Sequence, residues 1–262
     1  MYHDVVGGGG SASGRAGAPA GHYKLTWERF VEHLDCIEAL AGEPPALLDA
    51  LPPARGESPS WSLTFDDGGV SAIEVSEELA RRGWRAYFFI TTGRIGTIGF
   101  VDRDAIRALD RMGHVIGSHS VTHPARMAAL APDELLYEWQ ASVETLVEIL
   151  GKPVRTGSVP GGHYRRGVAV AAARAGIETL FTSEPVRTAR TVSGCLVIGR
   201  YSIRQDTSAR DAAGAAAGHA APWLRQYVGW NLRKPVKALA GQQYARVRQA
   251  RLASRSTPPT PQ

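Results

Sequence analysis

Between Trp61 and Ile203, short apolar runs alternate with amphipathic stretches, and glycines mark most of the joints. Trp61–Phe65, Ala86–Ile90, His114–Gly117, Val154–Val159, Glu178–Thr182 and Leu196–Ile203 have strand length and composition. Val70–Arg82, Asp104–Met112, Pro132–Leu150 and Arg166–Ala175 have helical periodicity. Each is followed closely by a glycine (Gly83, Gly113, Gly151, Gly176), the residue that ends a helix at least steric cost. In Pro132–Leu150 the spacing predicts Leu136, Trp139, Val143, Leu146, Val147 and Leu150 as the apolar face. Strand and helix in strict alternation predict an α/β fold: parallel strands with helices outside and chemistry at the C-terminal strand ends.

The flanks differ. Met1–Val6 reads as a strand and Gly7–Gly21 as a flexible Gly-rich loop. Leu25–Leu40 has helical spacing, and Glu43–Ser60 holds five prolines and reads as a connector. The expected organisation is therefore 1–58 leading into the barrel, 59–205 as the catalytic domain, and 206–262 as a basic helical extension with a disordered end. Trp223, Tyr227 and Trp230 lie among Arg225, Arg233 and Lys234, a pattern that membrane-surface helices use. Pro235 interrupts such a helix, so packing on the domain is the favoured reading.

Of the 262 residues 44% are hydrophobic, enough for one sizeable core. The net charge of +5 comes without a basic stripe interleaved with aromatics, which argues against nucleic acid as partner. Cys36 and Cys195 form neither a CxxC pair nor a disulfide framework. The sequence has no apolar run of membrane-spanning length and no signal peptide, so the expected location is cytoplasmic as the sequence stands. Met1 already reads as strand, so the true start could lie upstream, with an export signal.

Two clusters carry chemistry. Asp66 and Asp67 follow one strand; adjacent carboxylates repel unless a cation relieves them, and one can bind while the other stays free as a base. The plain alternative is a helix cap. His119 and His123 follow another strand, and residues four apart converge on one ion if the segment makes a helical turn. Carboxylate plus two imidazoles leaves open positions, as catalytic sites do. Such ligands suit zinc, and also cobalt, nickel or iron.

Thr64-Phe65-Asp66-Asp67-Gly68, followed by His119-Ser120-Val121-Thr122-His123, resembles the first two motifs of the polysaccharide deacetylase family, the NodB-homology or carbohydrate esterase family 4 domain. The resemblance implies a distorted (β/α)7 barrel, a divalent metal, and hydrolysis of N-acetyl groups on amino sugars. It makes Asp66 the base and Asp67, His119 and His123 the metal ligands. Pro160-Gly161-Gly162 fits the third family motif, with the Gly161 N–H at the reacting carbonyl and Pro160, Gly162 and Tyr164 lining the substrate. Met1-Tyr2-His3-Asp4-Val5 resembles the first strand of a subgroup acting on exopolysaccharides.

Two departures stand out. The family arginine that orients the base is replaced by Ser158, and Arg155 is out of register. The late Leu-x-His motif has no counterpart in Leu196–Tyr201, which leaves His163, or Asp66 itself once protonated, to supply the proton for the leaving amine. Two other readings therefore stay open: a non-catalytic carbohydrate-binding module that keeps the metal, and an amidase of the same fold acting on a non-sugar amide.

Overall fold

The computed structural model describes residues 1–7, 13–15, 21–48 and 61–239, with side chains through 232. The proline-rich part of the connector from 49 to 60, most of the Gly-rich loop, and the expected disordered end lie outside these residues.

The strands are β1 (Val5–Val6), β2 (Leu25–Thr26), β3 (Thr64–Phe65), β4 (Tyr87–Ile90), β5 (Val115–Ser118), β6 (Thr156–Ser158), β7 (Thr179–Phe181), β8 (Arg190–Val192) and β9 (Cys195–Ile198). The helices are α1 (Trp27–Ala41), α2 (Ala72–Arg81), α3 (Arg103–Arg111), α4 (Pro132–Leu150), α5 (Arg166–Arg174), α6 (Ala209–Ala216) and α7 (Ala220–Leu239). A curled seven-stranded sheet runs in the order β3-β4-β5-β6-β7-β9-β8, parallel except for the antiparallel edge strand β8.

Residues 1–2 connect the two ends of this curl. Tyr2 N–H donates to Thr64 O, and Asp66 N–H donates to Tyr2 O. On the other side Ile203 N–H donates to Met1 O. The chain start is thus held between β3 and the segment after β9, and the sheet curls around an interior.

That interior explains β4, whose four residues are all buried. Tyr87 and Phe89 point inward to Phe181, while Phe88 and Ile90 join the core beneath the helices. A strand covered on both faces reads as a continuous apolar run. The outer core joins Tyr2, Phe30 and Leu34 to Phe65, Ile106 and Ala212. Packing therefore crosses both boundaries expected at 58 and 205, and α1 lies chiefly against α6. Within the Gly-rich loop, Ser13 is buried and donates to Asp4 Oδ1 at 2.8 Å, so this part is anchored rather than free.

Two expectations need correction, and one strand is added. In α4 the buried face is Leu135, Glu138, Trp139, Ser142, Leu146 and Ile149, and Val147 is exposed. Two of those six positions are polar, which a purely apolar periodicity cannot find. The last strand ends at Ile198 rather than Ile203, because the chain turns inward at Gly199. The edge strand β8, joined to β9 by a hairpin at Ser193-Gly194, is only three residues long and has two exposed positions, so it carries no apolar run in the sequence.

His114 offers a stability prediction. It is buried, Ala86 N–H donates to its Nδ1, and burial lowers its pKa to about 4. The unfolded chain binds a proton near pH 6.5, whereas the folded chain resists it. Stability should therefore be complete above pH 6.5 and fall by about 3 kcal/mol as the pH drops to 4. His114→Phe should flatten that part of a urea-denaturation profile against pH; an unchanged profile would remove His114 as the cause.

Candidate metal and catalytic site

Asp67, His119 and His123 converge, their ligand atoms all within 4.8 Å of one another. Asp67 Oδ1 lies 3.4 Å from His119 Nε2 and 3.2 Å from His123 Nε2. His119 Nδ1 makes a 2.9 Å hydrogen bond to the Ser158 carbonyl. A carbonyl only accepts, so the proton sits on Nδ1 and the Nε2 lone pair faces Asp67. Electron-pair donors crowded this closely repel unless a cation lies among them. Asp67 Oδ1 is moreover a buried atom with no hydrogen-bond partner among the described residues. The donor set fits a divalent metal of the zinc type. Burial would raise the Asp67 pKa; imidazoles in their protonated form reverse this and hold it well below the usual range, and once they lose those protons a cation takes over the same role for the ionised carboxylate.

The histidines do not meet through the helical turn that their spacing suggested. Residues 119–123 form an irregular loop in which Ser120 (φ 65°) and His123 (φ 56°) are left-handed. Asp67 (φ 78°) shares that conformation, so among the described residues three of the four non-glycine residues with positive φ stand at this site. Each costs on the order of 1–3 kcal/mol and persists only where its surroundings impose it.

Glu138 of α4 imposes it. The Val121 and Thr122 N–H groups both donate to its Oε2 at 2.9 Å, and the Thr122 hydroxyl donates to Oε1 at 2.6 Å. Ser120 Oγ accepts from His123 N–H. Glu138→Ala should lower metal affinity by about ten- to a hundredfold in a chelator-competition titration while the chain stays folded. Wild-type affinity in that variant would show that the loop holds itself.

Asp66 is not a helix cap; the residue preceding α2 is Ser71. Arg200, from the turn after β9, grips it in a two-pronged ion pair, Nη1 to Oδ1 and Nη2 to Oδ2, each 2.8 Å. The other guanidinium hydrogens go to Thr182 O, Thr64 Oγ1 and Ser158 Oγ, so all five donors are used. Ser158 Oγ in turn donates to Asp66 Oδ2 at 3.1 Å. Burial would raise the Asp66 pKa; the Arg200 charge, with His119 and the Arg200 hydrogen bonds, more than reverses this and holds it below the usual carboxylate range. The arginine missing before Pro160 is thus matched by one from the segment after β9, whose guanidinium bonds to the small Ser158 standing in the family arginine's place. Its signal was visible: a lone charge inside Leu196–Ile203.

His3 is a second residue not assigned from the sequence. It lines a small cavity with Asp66, Phe65 and Phe88. Burial lowers its pKa, while Asp67 and Asp66 pull the other way. Its Nδ1 is buried without a hydrogen-bond partner among the described residues.

Pro160, Gly161 and Gly162 form a tight turn after β6. Gly161 is left-handed (φ 68°), and a Cβ there would stand 2.7 Å from Ala125 O, so only glycine fits. Gly162 packs under Trp230 of α7. His163 and Tyr164 follow, both partly buried.

Residues 54–180 match the family model described as polysaccharide deacetylase. YheN of Bacillus subtilis (strain 168) is 31% identical over 90 residues, 34% of this chain and 30% of that protein. The chain spans less than a third of the length of the curated relatives it matches. BC0361, a polysaccharide deacetylase from Bacillus cereus, superposes with a TM-score of 0.67 at 18% identity, covering 82% of this chain and 67% of the other. The Streptococcus pyogenes deacetylase PplD, solved in complex with acetate, gives 0.61 at 19%, covering 80% and 94%. These structures share the fold.

Proposed function

We propose that residues 54–180, which belong to the polysaccharide deacetylase family, form the core of a metal-dependent hydrolase that removes N-acetyl groups from an amino sugar or polysaccharide. One observation carries the reading: Asp66, outside the metal-type cluster and oriented by Arg200, lies beside Asp67, His119 and His123, which have the donors of a catalytic metal site.

A divalent cation held there, with zinc the best fit, supplies Lewis-acid charge at the reacting carbonyl and acidifies water. Asp66 takes the proton as water attacks the acetamide carbon. The Gly161 N–H faces the developing oxyanion, a donor of the kind worth about 3 to 4 kcal/mol. Pro160, Gly162 and Tyr164 shape the adjoining wall.

The amine must be protonated to leave. His3 is the favoured donor, since it shares a cavity with Asp66 and has an unused ring nitrogen. His163, just past the turn, is the other imidazole proposed for this step. His3→Gln should slow acetamide hydrolysis by about a hundredfold, within the range for a proton-transfer group. It should affect an acetate ester with a good leaving group far less. Equal losses on both would point away from His3 as the donor.

The test of the function is a panel of N-acetylated oligosaccharides, assayed for acetate and new primary amine in equal amounts. Release of neither, by protein carrying one metal per chain, would leave a carbohydrate-binding module. Release only from non-sugar acetamides would make it an amidase of this fold.

A further inference from the structure

Beside the Pro160–Gly162 turn lies a cleft of about 470 Å³, within the size range of sites for small ligands. It opens between the start of α5, the loop after β7 and one face of α7. Tyr164, Arg165, Arg166, Arg190, Tyr227 and Trp230 line it. Among the described residues of the wall the one carboxylate is Glu184, 3.3 Å from Arg190. Three arginines therefore face one acid. The Arg190 guanidinium lies 4.6 Å from the centre of the Tyr164 ring, and Arg165 donates to Leu130 O. Arg166 makes no hydrogen bond or ion pair among the described residues.

The placement of these charges runs against helix preference. Arg165 precedes α5 and Arg166 is its first residue, with no acidic side chain in the first turn. Cations there oppose the helix dipole instead of complementing it. Their charge adds to that of the helix start and of Arg190 along the cleft wall, with one Arg165 nitrogen also bonded to Leu130 O. Trp230 reaches over Gly162, which joins the cleft wall to the catalytic turn. Tyr164, Tyr227 and Trp230 supply flat surfaces on which sugar rings stack.

The geometry points to a subsite for an anionic sugar: the substrate is an acidic glycan, and Arg165, Arg166 and Arg190 take the carboxylate, or equally a phosphate or sulfate, of the unit next to the acetylated one. This rests on the deacetylase reading above and narrows its substrate class. Charge-assisted hydrogen bonds from guanidinium to such groups are among the stronger polar contacts.

The test compares three N-acetylated oligosaccharides of equal length: neutral N-acetylglucosamine, one alternating with glucuronate, and one carrying phosphate. Dissociation constants are measured by calorimetry on the metal-loaded protein, beside acetate release. The acidic oligosaccharides should bind at least about tenfold more tightly, the equivalent of one charge-assisted hydrogen bond. The carboxylate and phosphate arms show which group fits. Arg166→Gln and Arg190→Gln, both at exposed positions, should each reduce that ratio, and half-molar salt should do the same. Acetate release from the neutral sugar with equal affinity for all three would overturn the anionic subsite and leave the deacetylase reading standing. Release from none, with the acidic sugars still bound more tightly, would uphold the subsite and overturn deacetylation.

Discussion

Asp66→Asn should lower acetate release by about a hundred- to ten-thousandfold, the range for a general base. Metal content should stay at the wild-type level, because the proposed ligands are Asp67, His119 and His123. Asparagine keeps the shape and can still accept from Arg200 through one oxygen. It cannot take a proton from water. In the wild type the pKa of Asp66 is depressed, so the base is ionised well below neutral pH and its loss by protonation comes only in strong acid. Activity within tenfold of wild type in this variant would remove Asp66 from the mechanism, and loss of metal would make it a ligand instead.

Arg200→Met should destabilise the fold by about 3 to 5 kcal/mol, the cost of leaving one member of a buried ion pair unpaired. Asp66 and Arg200 are only 3% and 5% exposed, so solvent cannot replace the lost partner. The guanidinium also packs against the adjoining Phe89 and Phe181 rings, 5.6 and 5.7 Å from their centres. Adding Asp66→Asn to Arg200→Met should recover part of the stability, since the uncompensated charge is then gone. Denaturation midpoints of the two single variants and the double variant decide this. Simple additivity would mean the two residues do not act as a pair. Arg200→Lys should recover less activity than stability, because an ammonium cannot make the two parallel bonds that set the carboxylate's orientation.

The alternation of strand and helix was legible because parallel strands such as β4 and β7 are buried on both faces and the helices between them end near a glycine. Asp66, Asp67, His119 and His123 were legible as polar residues where apolar strands end. The conformation joining the histidines was not. It depends on Glu138, which sits on α4 where periodicity reads only apolar positions. Arg200 was visible as a charge out of place, but its partner lies 134 residues away and no local pattern names it. His3 was hidden similarly: its neighbourhood with Asp66 exists only because residues 1–2 pair with β3. The α4 face was misjudged because Glu138 and Ser142 are buried to make hydrogen bonds, Ser142 with Ser118.

The most direct test of metal-dependent deacetylation is acetate release from one N-acetylated oligosaccharide as the metal is stripped with chelator and then restored. The account predicts that release falls to background without metal, returns as about one zinc per chain is added back, and stays at background in Asp66→Asn that binds the same amount of zinc. Release that persists in fully stripped protein, or that Asp66→Asn supports at the wild-type rate, would contradict it.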